Sequence, residues 1–300
     1  MSSDGRSLAR LLPGALLLCT FIPGLACRAV TLATKPAEYE VKIDFDGRVR
    51  VRDGVELSAD IYRPSADGQF PVILTRTPYS KGTERGNRLA AGRYFASHGY
   101  VYVAMDVRGR GDSDGVFVPY RNEGPDGFDS IEWCAKQPRS NGKIGTIGSS
   151  YLGYDQWLAA LQRPPHLSTM IVLVTAPVPF VESPTGLQSP SYLSWYHLLL
   201  GRTLHNAAAV DWNALYLHLP LSTMDQAGGF RAPYWQDILN HPGIKSWWEP
   251  LIYQNKFDRV TCRSGMSPDG MTTASRGGNE LHRDDAERLE AGTPGRTRNF

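Results

Sequence analysis

The sequence has little that points to a nucleic acid, a metal or a cofactor. Lysine and arginine (32) nearly balance aspartate and glutamate (30), and no block of basic residues provides the footprint of a nucleic-acid partner. The four cysteines, Cys19, Cys27, Cys134 and Cys262, lack the paired spacing of a zinc site and indicate no disulfide framework. With 41% hydrophobic and 21% charged residues, the composition is that of a globular chain with a large core. Neither a metal nor a cofactor is predicted.

Long apolar runs are also lacking. The most apolar stretch, Leu11 to Ile22, is too short to span a bilayer, which takes about 20 apolar residues. Arg6 and Arg10 precede it, and the small residues Gly24 and Ala26 follow it before Cys27. This order is typical of a secretory signal, so residues 1–33 are interpreted as a signal peptide and linker. We therefore expect an exported, periplasmic or extracellular protein, and Cys27 directly after the cut leaves a lipid-anchored form open.

Short β-branched runs alternate with helical patterns from residue 40 onward. Strands are predicted at Val55 to Tyr62, Val72 to Thr77, Tyr100 to Val107, Lys143 to Ile147 and Met170 to Thr175, with helices at Asn87 to Ser97 and Pro125 to Lys136. Such alternation predicts an α/β fold, a mainly parallel sheet covered on both faces. Residues 34–178 are assigned to this core.

The pattern changes from about residue 179, where aromatic residues and leucine recur at helical spacing among many prolines. Residues 179–255 are therefore interpreted as an inserted helical cap. Aromatic residues at this spacing more often pack the cap than line an acyl pocket, and the cap aromatics are Trp195, Tyr196, Trp212, Tyr234, Trp235, Trp247 and Trp248. Residues 256–300 are expected to be an aberrant, disordered tail, and residues 274–300 show no apolar periodicity.

The stretch "KIGTIGSSYLGYDQW", residues 143–157, joins a buried strand to a helix through a serine-containing turn. The carboxyl end of a strand is where α/β sheets place their sites. Gly148 and Gly153 allow close backbone contact, so Ser150 is predicted to be a nucleophile on a sharp elbow. The amide of Tyr151 begins the helix, where it can hold an oxyanion. The alternative is a glycine-rich turn with a capping serine.

The elbow "GSSYLGYDQW" resembles that of the serine hydrolases that include bacterial cocaine esterase, α-amino-acid ester hydrolases and X-prolyl dipeptidyl peptidases. The stretches "RDGVELSADIYRPSADGQFPVILTRTPYSK", "FASHGYVYVAMDVRGRGDSDGVFVP" and "GFDSIEWCAKQPRSNGKIG" resemble successive family segments in order, so the likeness covers roughly residues 40–260.

This resemblance implies an α/β-hydrolase core with a helical cap, and Ser150 as the nucleophile that forms an acyl-enzyme. It also implies an oxyanion hole made by the Tyr151 amide and the phenol of Tyr79, a neutral donor since phenols ionise near pH 10. The implied substrates are small esters, amides or the N-terminal dipeptides of peptides.

The acid and base of the catalytic triad are missing from this pattern. A serine needs a histidine to take its proton and a carboxylate to orient the imidazole, yet neither the family's "GWYD"-like acid motif nor its "GPW-x-H"-like base motif occurs. The last core strands and the family's C-terminal β-sandwich are expected to be missing too. A structural or surface role is therefore the default for the seven histidines: His98, His166, His197, His205, His218, His241 and His282.

Two hypotheses stay open, a secreted serine hydrolase and a catalytically incomplete remnant. A frameshift after about Thr261 is expected, because reading "TCRSGMSPDGMTT" from the third base of each codon permits Val-Pro-Val-Arg-Asn-Val-Thr-Gly-Trp-Tyr-Asp-Asp. That reading contains the missing acid motif, and the chain as written is therefore expected to be inactive. The tripeptide Arg110-Gly111-Asp112 follows a predicted strand and is interpreted as a plain strand-to-loop turn.

Overall fold

Seven strands and seven α-helices make up the part of the chain that the computed structural model describes, residues 36–82, 88–175, 189–241 and 246–266. The strands are β1 (Val41–Arg50), β2 (Glu56–Pro64), β3 (Phe70–Thr77), β4 (Val101–Asp106), β5 (Ser140–Ser149), β6 (Leu167–Leu173) and β7 (Arg263–Met266). The helices are α1 (Arg88–Ser97), α2 (Glu123–Ala135), α3 (Tyr151–Leu161), α4 (Tyr192–Leu198), α5 (Trp212–Leu215), α6 (Met224–Ala227) and α7 (Pro233–Asn240). None of the helices in these ranges is long and apolar enough to cross a membrane.

The strands form one sheet in the order β1-β2-β4-β3-β5-β6-β7. β2 pairs antiparallel with both β1 and β4, and the pairs β4–β3, β3–β5, β5–β6 and β6–β7 are parallel. Helices α2 and α3 pack on one face of the sheet, and α1 packs on the other against Tyr62, Tyr102 and Ala104. All six residues of β4 are buried, as a continuous apolar strand covered on both faces requires. The predicted α/β fold class is confirmed.

Two strands were not predicted from the sequence. β1 is an antiparallel edge strand with only one fully buried residue, Val49, so it lacks a clear apolar alternation. β7 was not expected either, because the last core strands were predicted to be missing and residues 256–300 to be a disordered tail. In the structure, residues 263–266 pair in parallel with β6 from Thr169 to Val172, so the sheet extends one strand further than predicted. Residues 267–300, including His282, lie outside the described residues, as does the predicted signal at residues 1–33.

The predicted cap consists, in its described part, of α4 to α7 and short 3₁₀ turns, with no strand between residues 189 and 241. Its interior is aromatic, as expected for cap packing. Trp235 is fully buried and its ring lies 6.3 Å from that of Tyr196. The predicted boundary near residue 179 lies outside the described residues.

Candidate active site

Ser150 occupies the turn between β5 and α3 with φ 58° and ψ −121°. A positive φ is rare and strained for a residue with a Cβ. The backbone N–H of Ser150 donates to the carbonyls of Leu173 and Val174 at 3.0 and 3.1 Å, which fixes this conformation. Because Ser150 is exposed, its strained turn presents the hydroxyl at the surface of the core, as a nucleophile elbow requires.

Gly148 and Gly153 are required by the packing around this turn. A Cβ at position 148 would lie 2.4 Å from Cβ of Leu152 and 2.9 Å from its carbonyl oxygen, and one at position 153 would lie 1.9 Å from Oγ1 of Thr175. All three distances are too short for a side chain at either position in this backbone. The two glycines therefore let strand, turn and helix approach as closely as the sequence predicted.

Ser150 opens onto a cavity of about 230 Å³. The lining residues are Tyr79, Tyr120, Ser150, Tyr151, Tyr154, Ser191, Tyr192 and Trp195. The three site residues predicted from the sequence, Ser150, Tyr79 and Tyr151, thus lie around one cavity between the sheet and α4. Trp195, interpreted from the sequence as cap packing, also lines it.

Tyr79 lies in the loop that follows β3. Its backbone N–H donates to Oγ1 of Thr77 at 3.1 Å, and its phenol oxygen accepts from Nε1 of Trp195 at 3.1 Å. Two residues on, the buried ammonium of Lys81 donates to Asp46 at 2.8 Å and Asp112 at 2.6 Å. Burial alone would lower the pKa of Lys81, but the hydrogen bonds to these carboxylates raise it. Lys81 therefore stays charged and anchors the loop.

Tyr151 is the first residue of α3, where helix N–H groups have no partner within the helix. Its amide is therefore available to an oxyanion, whereas its side chain is buried. The phenol donates to Oε1 of Glu123 at 2.8 Å and accepts from the N–H of Tyr120 at 2.9 Å. Burial raises the pKa of Tyr151 well above its ordinary value, so the phenol stays neutral and holds the start of the helix.

A buried ionic group that the sequence analysis missed lies behind the elbow. The guanidinium of Arg76 donates to Glu123 at 2.6 Å, and both side chains are 4% exposed. Burial raises the pKa of Glu123 and raises that of Asp155 well above its ordinary value. Within the described residues, Oδ2 of Asp155 has no hydrogen-bond partner. Two local features could have indicated this buried ionic group. Arg76 interrupts an apolar strand, and Asp155 lies in a wholly buried helix.

The described histidines all make contacts elsewhere. His98 contacts Tyr94, His166 pairs with Glu132, His197 packs on Phe230 and His205, His218 bonds to Thr223, and His241 stacks on Trp247. Among the residues that the structure describes, none of these rings is hydrogen bonded to Ser150. The described part likewise holds no cluster of histidine, cysteine and carboxylate side chains suited to a metal ion. The described site thus brings Ser150, Tyr79 and Tyr151 around one cavity, with no described histidine hydrogen bonded to Ser150.

The sheet order, the strained serine elbow and the inserted cap define a protein of the α/β-hydrolase class. A family model for the X-Pro dipeptidyl-peptidases (S15 family) matches residues 53–267. The chain belongs to this family.

Two of the curated relatives are named as esterases. The chain is 36% identical over 173 residues to cocaine esterase of Rhodococcus sp. (strain MB1 Bresler), covering 56% of this chain and 27% of that protein. A putative serine esterase of Mycobacterium bovis is 30% identical over 192 residues, covering 56% of this chain and 29% of that protein. The chain therefore spans less than a third of the length of these curated relatives.

Solved structures show the same architecture. A CocE/NonD family hydrolase from Staphylococcus aureus matches with a TM-score of 0.54 at 25% identity, over 73% of this chain and 39% of that chain. An α-amino acid ester hydrolase matches with a TM-score of 0.61 at 22% identity, over 82% of this chain and 45% of that chain. The latter likeness shows the fold alone.

Proposed function

We propose that this chain carries the nucleophile and oxyanion hole of a serine hydrolase that cleaves carboxylic esters or releases N-terminal dipeptides from peptides. The observation that carries the proposal is the cavity shared by Ser150, Tyr79 and Tyr151 at the turn between β5 and α3. Membership of the S15 family supports the same chemistry, and the likeness to cocaine esterase favours an ester.

In the proposed reaction, Oγ of Ser150 attacks the carbonyl carbon of the substrate while a base takes its proton. The carbonyl oxygen becomes an oxyanion that accepts from the Tyr151 N–H and the Tyr79 phenol, and each such donor contributes about 3 to 4 kcal/mol. The leaving group departs with a proton and leaves an acyl-enzyme, which water then hydrolyses. The two donors are neutral and held in place before the reaction, so they stabilise charge without reorganising.

The second candidate is a catalytically incomplete remnant. It is favoured by the histidine contacts, because no described histidine is hydrogen bonded to Ser150 and a serine without a base is a weak nucleophile. An oxyanion hole without a complete triad supports only residual catalysis, about 10³ to 10⁴-fold over water in other serine hydrolases. Under this candidate the 300-residue chain folds but turns over ester only in traces.

The test is hydrolysis of p-nitrophenyl acetate by the purified 300-residue chain and by Ser150→Ala. In a protein in which the acid and base motifs are supplied in frame, the hydrolase proposal expects Ser150→Ala to lower the rate by on the order of a million-fold and Tyr79→Phe to lower it about a hundredfold or more. Equal rates for the wild-type chain and Ser150→Ala would overturn it in favour of the remnant. Resequencing the gene beyond the codon for Val260 tests the proposed frameshift separately.

We also propose that the protein is exported, on the evidence of Arg6, Arg10 and the apolar stretch that follows them. The expected mature protein begins at or near Cys27. N-terminal sequencing and mass measurement of the protein from the native host test this, and a mass increase from attached lipid would favour the anchored form. A protein that keeps Met1 to Ala26 would overturn the proposal.

A further inference from the structure

Arg110 is fully buried in the loop after β4, and its hydrogen bonds to described residues all go to main-chain oxygens. Its Nε donates to the carbonyl of Pro78 at 2.7 Å, and its Nη1 donates to the carbonyls of Leu199, at 2.8 Å, and Gly201. Within the described residues, Nη2 has no hydrogen-bond partner. The predicted plain turn is therefore the site of a buried cation that joins the core to the cap.

Arg110 differs from three other cations near the site, Arg76, Lys81 and Arg108, because no described carboxylate forms an ion pair with it. Each of these three has a carboxylate within 2.8 Å: Arg76 has Glu123, Lys81 has Asp46 and Asp112, and Arg108 has Asp53 and Asp126. Arg88 is also buried and donates to the carbonyl of Ser80. No described carboxylate lies within 4.0 Å of Arg110. Asp106 acts on it only through space and accepts hydrogen bonds from the N–H groups of Lys81 and Asp112. Burial lowers the pKa of Arg110 to about 10, so it stays charged at neutral pH.

This charge lies directly behind the proposed oxyanion hole. Pro78, which accepts from Nε, immediately precedes Tyr79 in the chain. The guanidinium carbon also lies 5.5 Å from the ring centre of Phe117, and that ring lies 6.2 Å from the ring of Tyr151. Arg110 is thus one layer of side chains away from both residues that would donate to the oxyanion. A charge at this depth is weakly screened by water.

We propose that Arg110 gives the Ser150 cavity a permanent positive potential, so that it binds an anionic oxygen in preference to a neutral carbonyl. The ligands of this class are the tetrahedral oxyanion of the proposed reaction and the carboxylate product of ester cleavage. The inference rests on the proposed function for the location of the oxyanion hole. Arg110 touches neither Ser150 nor the ligand in this scheme and acts through its field.

The test compares two probes of equal shape, benzoate and benzamide, by calorimetric titration of the 300-residue chain. Arg110→Met, similar in length and uncharged, is expected to weaken benzoate binding about tenfold, the order for one partly screened charge, and to leave benzamide unchanged. Arg110→Lys keeps the charge and is expected to restore most of the benzoate affinity. Tyr79→Phe should also weaken benzoate, which locates the probe in the oxyanion hole. Equal losses of benzoate and benzamide in Arg110→Met would overturn the inference.

A second measurement needs no variant and applies if Arg110→Met does not fold. The absorbance of p-nitrophenolate reports the ionisation of bound p-nitrophenol, whose pKa is expected to fall by about one unit in a positive cavity, since one unit corresponds to a tenfold preference for the anion. An unchanged pKa for the bound phenol would overturn the inference. Both measurements are independent of turnover. A chain that hydrolyses no ester but prefers benzoate through Arg110 would contradict the proposed function and leave this inference intact.

Discussion

The indole N–H of Trp195 donates a hydrogen bond to the phenol oxygen of Tyr79 across 3.1 Å. An indole nitrogen can only donate, so the phenol oxygen is the acceptor in this contact and its own proton points elsewhere. Trp195 lies in α4 of the cap, whereas Tyr79 lies in the core loop after β3. Trp195 of the cap therefore polarises the phenol of Tyr79, which we propose as an oxyanion donor. This follows because each hydrogen bond in a chain strengthens the next donor.

Trp195→Phe removes the N–H and keeps an aromatic ring, so it tests this contact directly. A hydrogen bond of this kind contributes about 1 kcal/mol net. In a double-mutant cycle with Tyr79→Phe, measured by urea unfolding, the two substitutions should be coupled by about 1 kcal/mol. If the losses of unfolding free energy in the two single variants add up to the loss in the double variant, the 3.1 Å contact contributes nothing to stability.

Gly148→Ala tests the packing of the elbow. The added methyl group would lie within 3.1 Å of the Cβ, carbonyl carbon and carbonyl oxygen of Leu152, so backbone must move. The unfolding free energy should fall by about 1 to 3 kcal/mol. The matched control is Gly82→Ala, where an added methyl group has nothing within 4 Å and the change should stay within about 0.5 kcal/mol. Similar values for the two variants would argue against a packing requirement at position 148.

The elbow was predictable because its signal is local. A β-branched strand, two glycines and a helix occur within 15 residues of sequence, and the structure has a strained serine at their junction. Arg110 shows the limit of this reasoning. Its partners Leu199 and Gly201 lie 89 and 91 residues away, so nothing next to it in the sequence distinguishes a buried cation from an exposed turn. Arg76 stands out locally because it interrupts an apolar strand, but its partner Glu123 lies 47 residues away, so the ion pair itself was not predictable. β7 escaped prediction because its four residues, "RSGM", carry no β-branched pattern.

Arg76→Met should be among the most destabilising substitutions in the core. It would leave the buried carboxylates of Glu123 and Asp155 without a cation, and removing one partner of a buried ion pair costs about 3 to 5 kcal/mol. Asp155→Asn should cost far less, because it removes a buried carboxylate whose Oδ2 has no partner among the described residues. Arg139→Met is the surface control: the Arg139 and Asp67 side chains are 39% and 103% exposed, and such pairs contribute about 0 to 1 kcal/mol. Chemical unfolding of the three variants gives the loss of unfolding free energy for each. A loss for Arg76→Met no larger than that for Arg139→Met would contradict the prediction.

Asp106 should make stability depend on pH between about 4 and 6. Burial raises the pKa of this carboxyl from 3.8 to about 6, so the folded protein binds the proton more tightly than the unfolded chain. The resulting stabilisation is fully present below pH 3.8 and is lost as the pH rises to about 6, with a total of about 3 kcal/mol for two pKa units.

Asp106→Asn cannot ionise. It also loses one of the acceptors for the Lys81 and Asp112 N–H groups, but that cost does not vary with pH. The unfolding free energy of the wild type minus that of Asp106→Asn should therefore fall by up to about 3 kcal/mol between pH 4 and pH 7. As a control, the unfolding free energy of the wild type minus that of Asp67→Asn should change far less over this pH range, because the Asp67 carboxylate is fully exposed. A difference for Asp106→Asn that stays constant or rises over this range would show that Asp106 is ionised in the fold throughout, held so by the ammonium of Lys81 at 3.7 Å.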